Sequence, residues 1–372
     1  MELFEDESTF FPTTIDEIYK RVSQIDPIKY ASTRNYVNGA VTYLSPYISR
    51  GVISTKYIVD QVLARGYKPE AIEKFIQELA WRDYWQQVWI NKGEEINSDL
   101  KHQQSPVSNK QMPKSIVDAN TGISAIDTAI KKLEETGYMH NHLRMYVASV
   151  SCNIAKSHWL KPAQWMYYYL LDADWASNAL SWQWVAGSNS NKKYYANQEN
   201  INRYCFTTQS NTFLDVPYSA FESLEIPDVV KETKDVILIT PLPSQAKINL
   251  EKGIPICIYN FYNLDPIWRK EEVVNRVLLL EPSHFAKYPV SKKSIDFMLK
   301  LAEDNISNVQ VYIGEFSDLV SEYQLKKIYF KEHPTTTHYQ GEQDARDWMF
   351  TVTGYYPSFF AFWKKCKKEF AF

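Results

Sequence analysis

From Ile15 to about Trp182 apolar residues return every three or four positions, as in IEKFIQELAWRDYWQQVWI (72–90) and LRMYVASVSCNIAKSHW (143–159). That period puts the apolar side chains on one stripe of a helix and leaves little room for strands, so this half is expected to be helical. Ser54 before TKYIVDQVL, Lys68-Pro69 before EAIEKFIQELA and Lys161-Pro162 before AQWMYYYLL mark helix starts, because a hydroxyl can accept a first-turn N–H and proline suits that turn. The polar, proline-punctuated stretch 93–115 has no period and is expected to be a long surface connection.

After about residue 225 the texture changes. Short β-branched runs appear, namely DVILIT, IPICIYNF, RVLLLEP, VQVYIGEF and KKIYFKE, separated by helix-like stretches such as SKKSIDFMLKLAED. Strands alternating with helices imply a parallel α/β sheet. A chain of 372 residues exceeds one core. The expected fold class is therefore multi-domain, α and α/β: an all-helical domain over 1–225, then a small parallel, Rossmann-like α/β domain over 230–372. Neither GxGxxG nor GxxxxGK[ST] occurs, so the second domain lacks the common phosphate-cradling loops.

The formal charge of -3 excludes a broadly basic nucleic-acid binder while leaving a local basic groove open. Cys152, Cys205, Cys257 and Cys366 lie too far apart for a zinc site or a disulfide scaffold, so reduced thiols and a cytoplasmic location are expected. The acidic start MELFEDESTFFPTT does not read as a secretion signal, and no run approaches the roughly 20 apolar residues needed to cross a bilayer, so no membrane partner is expected.

Aromatic residues form 15 % of the chain and crowd between 81 and 204. In DADWASNALSWQWVAG (172–187) Asp172, Asp174 and Asn178 precede Trp182 and Trp184. Two acids two residues apart cannot share a helix face, so a turn that aims both at one polar partner is expected. No third carboxylate or histidine stands at ligand spacing, which favours an organic cofactor with polar edges and a flat ring over a metal. In QELAWRDYWQQVW (77–89) Glu78, Trp81, Arg82 and Trp85 fall on one side of a helix, which an ordinary amphipathic helix would also show. GYMHNHLRMYVAS (137–149) brings His140, Asn141, His142 and Arg144 to a helix start, where such groups can read a base edge or a phosphate. Thr42, Ser45, Gly51 and Ser54 offer hydroxyls and free N–H groups suited to a pyrophosphate, or simply helix caps.

Read in order, these segments resemble the FAD-binding helical domain of the photolyase and cryptochrome family, over residues 25 to about 205. The resemblance implies FAD, with Tyr30, Arg34, Thr42, Leu44, Ser45, Arg82, Asp172, Asp174 and Asn178 at flavin-contacting positions and Asn178 near the flavin N5. It also implies a pocket for a flipped cyclobutane pyrimidine dimer, lined by Glu78, Trp81, Asn141, His142, Arg144, Met145 and Trp184. Light-driven electron donation from reduced FAD would split the dimer, a protonated Glu78 would stabilise the anion, and Trp182 and Trp159 would be the proximal and middle members of the photoreduction chain. The partner so implied is damaged DNA, single strands included, and the protein is expected to act as a monomer.

Four features depart from the family pattern. His142 stands where arginine is usual, Val41 where threonine is frequent, and Pro106 where the distal tryptophan belongs. The α/β antenna domain normally precedes the helical one, whereas here residues 275–304 with VQVYIGEF resemble its first part from a C-terminal place. No antenna-chromophore motif accompanies them, so no second cofactor is expected.

Overall fold

A computed structural model of the chain describes residues 10–370. The chain forms two compact units that interleave along the sequence, where the change of texture suggests one break between 225 and 230. One unit takes the residues up to Ile28, Thr42–Asn91 and those from Ile239 onward; the other takes Lys29–Val41 and Lys92–Leu238.

The first unit holds a five-stranded sheet. Its strands are β1 (Ile256–Tyr259), β2 (Asn275–Leu280), β3 (Val309–Ile313), β4 (Ile328–Lys331) and β5 (Glu342–Asp344), in the spatial order β3-β2-β1-β4-β5. Every neighbouring pair is parallel, with Ile258 beside both Val277 and Phe330. All four residues of β1 are buried, as a strand covered on both faces requires. Ile256, Ile258, Val277, Leu279, Ile328 and Phe330 meet Tyr312, Phe316, Leu319 and Tyr339 in one apolar cluster. Each such side chain contributes on the order of 1.5–3 kcal/mol. The helices Lys292–Asn305 and Phe316–Tyr323 carry the chain from β2 to β3 and from β3 to β4.

Two strand expectations change. DVILIT forms no strand, and Ile237 and Ile239 are 84 % and 69 % exposed. The polar EQD of β5 joins the sheet instead, through its ladder to β4. β-branched residues favour an extended backbone, but a strand exists only where a partner offers its hydrogen bonds.

The long helix Glu73–Lys92 belongs to this unit, which explains the interleaving. Trp89, near its end, packs edge-on against Tyr262, Tyr288 and His333 at 5.9, 5.9 and 5.1 Å. Arg50 is wholly buried, with its guanidinium 3.4 Å from the Phe261 ring centre and its Nη1 donating to the Phe261 carbonyl at 2.6 Å. Gly51 sits at φ +67° with a Cβ position only 2.7 Å from the Tyr262 carbonyl, so packing on the turn after β1 demands glycine there.

In the second unit, helices Ser124–Thr136, Asn141–Ser149, Leu160–Tyr169, Trp175–Ala186 and Gln198–Cys205 follow the expected helical period. A π-turn, Val150–Ile154, interrupts the sequence after Ser149. The stretch 93–115 is less superficial than its polarity suggests. Ile96 and Gln104 are buried, Gln104 bonds both Ser157 O and Trp159 N at 2.9 Å, and Asp99 accepts from Trp159 Nε1 at 2.8 Å. Buried polar backbone at a loop needs partners, and these two side chains supply them.

Candidate functional site

In the helical unit, Asp172 and Asp174 occupy the turn between Leu160–Tyr169 and Trp175–Ala186. Both carboxylates are buried, and the hydrogen bonds they accept come from different groups. Asp172 accepts from Arg144 Nη1 at 2.9 Å, and Arg144 Nε in turn donates to the Met139 carbonyl at 2.8 Å. Asp174 is the cap of the next helix, accepting from Ser177 N at 3.2 Å and Ser177 Oγ at 2.8 Å. Arg144, placed by resemblance in the substrate pocket, is thus the counter-ion that holds Asp172. One turn on, Asn178 donates from Nδ2 to Ala163 O at 2.8 Å, which fixes the amide and turns Oδ1 into its acceptor face. Trp182 and Trp159 are fully buried, the latter held by Asp99 and Gln104, two residues that sequence reasoning missed inside an aperiodic loop.

The same helix also reaches the surface. Trp184 is 38 % exposed beside Tyr194, at 5.9 Å. Asn141 is exposed at the first turn of Asn141–Ser149, and the half-buried Met145 follows one turn later on the same side. His142 is different. Its Nδ1 lies 2.8 Å from the Asn35 carbonyl, its ring stacks on Tyr146 at 5.6 Å and meets Tyr204 edge-on at 4.9 Å, and burial lowers its pKa. A ring with a lowered pKa and its Nδ1 held at a carbonyl offers a phosphate little positive charge. His140 behind it is buried, with its pKa pushed down to about 4 by desolvation and by His142 and Arg144. Tyr30 and Arg34 lie in and just after the short helix Pro27–Thr33, where Arg34 Nη1 bonds the Ala31 carbonyl at 2.7 Å.

In the sheet-bearing unit, Leu44 is buried and Thr42 and Ser45 are half-buried at the start of the helix Ser45–Ser49. Ser54 caps Thr55–Leu63, accepting from Tyr57 N at 2.9 Å, so its hydroxyl serves the helix start. Arg82 and Trp81 are half-buried on the Glu73–Lys92 helix. Glu78 is paired with Lys74 Nζ at 2.7 Å. The Trp81 indole already carries a stacked ring: Phe359, from the C-terminal helix Phe359–Cys366, lies at 3.7 Å and 11°. Glu73 anchors that helix through Trp363 Nε1 at 3.3 Å and Lys367 Nζ at 2.8 Å. Asp83, on the opposite side of the same turn, is buried where Thr55 Oγ1 donates at 2.9 Å and Met349 N at 3.2 Å; desolvation pushes its pKa up to about 6. The sequence pattern alone carries no signal for Phe359 or Asp83.

A turn with a clamped carboxylate, a fixed amide and buried indoles suits the polar edge and flat ring of a flavin. Residues 75–217 match the family described as the FAD binding domain of DNA photolyase. Among curated relatives, a deoxyribodipyrimidine photo-lyase of Streptomyces griseus is 31 % identical over 158 residues, covering 41 % of this chain and 34 % of that protein. A chloroplastic/mitochondrial cryptochrome DASH of Ostreococcus tauri is 29 % identical over 194 residues, covering 50 % and 34 %. The matched segment thus spans about a third of these relatives' length. Among solved structures, a Synechocystis cryptochrome has a TM-score of 0.49 at 24 % identity, covering 55 % of this chain and 46 % of that one. Among the described residues no helix is long and apolar enough to cross a membrane.

Proposed function

We propose that the protein is an FAD-dependent, light-driven lyase that splits cyclobutane pyrimidine dimers in damaged DNA. The observation that carries this reading is the Trp175–Ala186 helix, which is buried at Asn178 and Trp182 yet presents Trp184 to solvent. A large indole left exposed at the end of a buried helix suits stacking on an extruded base, and a dimer, already poorly paired, costs least to extrude. Bound reduced FAD would supply one-electron donation to the dimer under light. In the helical unit Arg144 holds Asp172 in position, and Tyr30, Arg34, Asp172, Asp174 and Asn178 would contact the cofactor; in the sheet-bearing unit Thr42, Leu44, Ser45 and Arg82 are the residues that would do so. In the helical unit Asn141, Met145 and Trp184 would bind the lesion, and in the sheet-bearing unit Glu78 and Trp81 are the residues that would do so. Trp182 and Trp159 would carry the hole during photoreduction, with Asp99 keeping the Trp159 ring in place. Residues 230–372, with strand order β3-β2-β1-β4-β5 like five of the six strands of a doubly wound sheet, would take the place of the antenna domain without a second chromophore. The protein would act as a cytoplasmic monomer.

A second reading, a cryptochrome-like light sensor with little repair activity, is favoured by one observation: Phe359 already covers Trp81. A light-against-dark assay on a strand with one defined dimer, with the flavin spectrum recorded on the same sample, separates the two. Loss of dimers only under blue or near-UV light supports the lyase. A flavin that photoreduces while dimers persist supports the sensor, and a preparation that binds no flavin refutes both.

A further inference from the structure

Phe206 ends the helix Gln198–Cys205 in a left-handed conformation, φ 57° and ψ 42°. Only glycine adopts that conformation without steric cost, and the helices that end at Thr136 and Ala186 do close on left-handed glycines, Gly137 and Gly187. Burial does not offset the cost, because the Phe206 side chain is 60 % exposed. A bulky ring is held in a disfavoured backbone and shown to water.

Its neighbours make a platform. Phe206 stacks on Tyr36 at 5.6 Å and 28°, and Tyr36 meets Tyr204 at 5.0 Å. The Arg203 guanidinium lies 5.5 Å from the Tyr204 ring centre and is solvent-exposed beside Tyr36. The rings are held from below, because Val37 N donates to Tyr204 O at 3.1 Å and Thr207 closes onto Asn202 through N at 3.1 Å and Oγ1 at 2.7 Å. The following residues, Thr207, Thr208, Gln209, Ser210 and Asn211, are polar. A protein interface needs a continuous buried patch, which this polar surround does not offer. A nucleobase needs only a ring face, and its phosphate only a cation.

We propose that Tyr36, Arg203, Tyr204 and Phe206 form a stacking platform for an unpaired nucleic-acid strand, with the Phe206 ring against a base and Arg203 on a backbone phosphate. The platform deepens the reading above and rests on it for the kind of partner. Glu199, one helical turn before Arg203, is the acidic neighbour that limits its affinity.

The test is fluorescence anisotropy of the full-length protein with a short undamaged oligothymidylate, in the dark. Phe206→Gly places the residue that the backbone favours, so its urea midpoint should hold or rise while affinity falls at least about fivefold, the lower end for one lost base stack. Arg203→Gln, at a solvent-exposed side chain, should leave the urea midpoint near that of wild type, weaken binding and flatten the salt dependence by about 0.7 in slope. Unchanged affinity in both variants, or a duplex bound as well as the single strand, overturns the platform. Dimer repair that fails while oligothymidylate binding persists overturns the lyase reading and leaves the platform standing.

Discussion

Asp83 allows the buried electrostatics to be tested without any ligand. Its carboxylate is desolvated beside Thr55 and Met349, and its pKa rises from 3.8 to about 6, since two hydrogen bonds and the charges of Arg346 and Arg82 do not fully repay burial. At about 1.4 kcal/mol per pH unit, that rise makes the ionised form cost about 3 kcal/mol of stability at neutral pH. The folded state takes up its proton near pH 6 and the unfolded state only near pH 3.8. Between those values the folded protein binds more protons, so this contribution grows as pH falls and is lost as pH rises through about 6. Asp83→Asn removes the titration. Loss of one acceptor for Met349 N shifts the variant's stability by about 1 kcal/mol at every pH, which is a constant offset. Urea unfolding of both proteins at pH 7.5 and pH 5 should show wild type gaining about 1.4 kcal/mol on the variant at the lower pH. His140, whose neutral form is favoured down to about pH 4, acts in the opposite sense, and it cancels in the difference because both proteins contain it. Parallel pH profiles for the two proteins would refute the desolvation argument.

Arg144→Met should strip Asp172 of its buried counter-ion, costing on the order of 3 kcal/mol in urea unfolding and lowering the flavin content of the purified protein, with Arg144→Lys restoring part of both. Phe359→Ala should cost about 3–5 kcal/mol in the same assay and shift tryptophan emission as Trp81 loses its stacked partner; an unshifted spectrum would count against the stack. His142→Arg should leave the salt dependence of DNA binding unchanged and lower stability, because the position is enclosed by Asn35, Tyr146 and Tyr204; a steeper salt dependence would put the side chain on the phosphate side after all. Asp99→Ala should free the Trp159 indole N–H inside the protein, slowing flavin photoreduction and lowering stability by about 1–3 kcal/mol, measured by light-driven bleaching of the flavin absorption band and by urea.

What can be read from the chain alone is whatever depends on neighbours in sequence. The three- and four-residue apolar spacing around Trp81, Tyr146 and Trp182 sets helices, and IPICIYNF, RVLLLEP, VQVYIGEF and KKIYFKE supply four of the five strands. The turn with Asp172, Asp174 and Asn178 was legible as a polar site for the same reason, since its residues lie within a few positions of one another. The rest is decided by distant segments, which no local period encodes. Phe359 reaches Trp81, Asn35 takes His142, Asp99 and Gln104 fix Trp159, and EQD displaces DVILIT from the sheet. Local spacing fixes which face of an element is apolar; only packing decides which groups that face meets, because a buried ring or polar atom takes whatever partner the chain brings within reach.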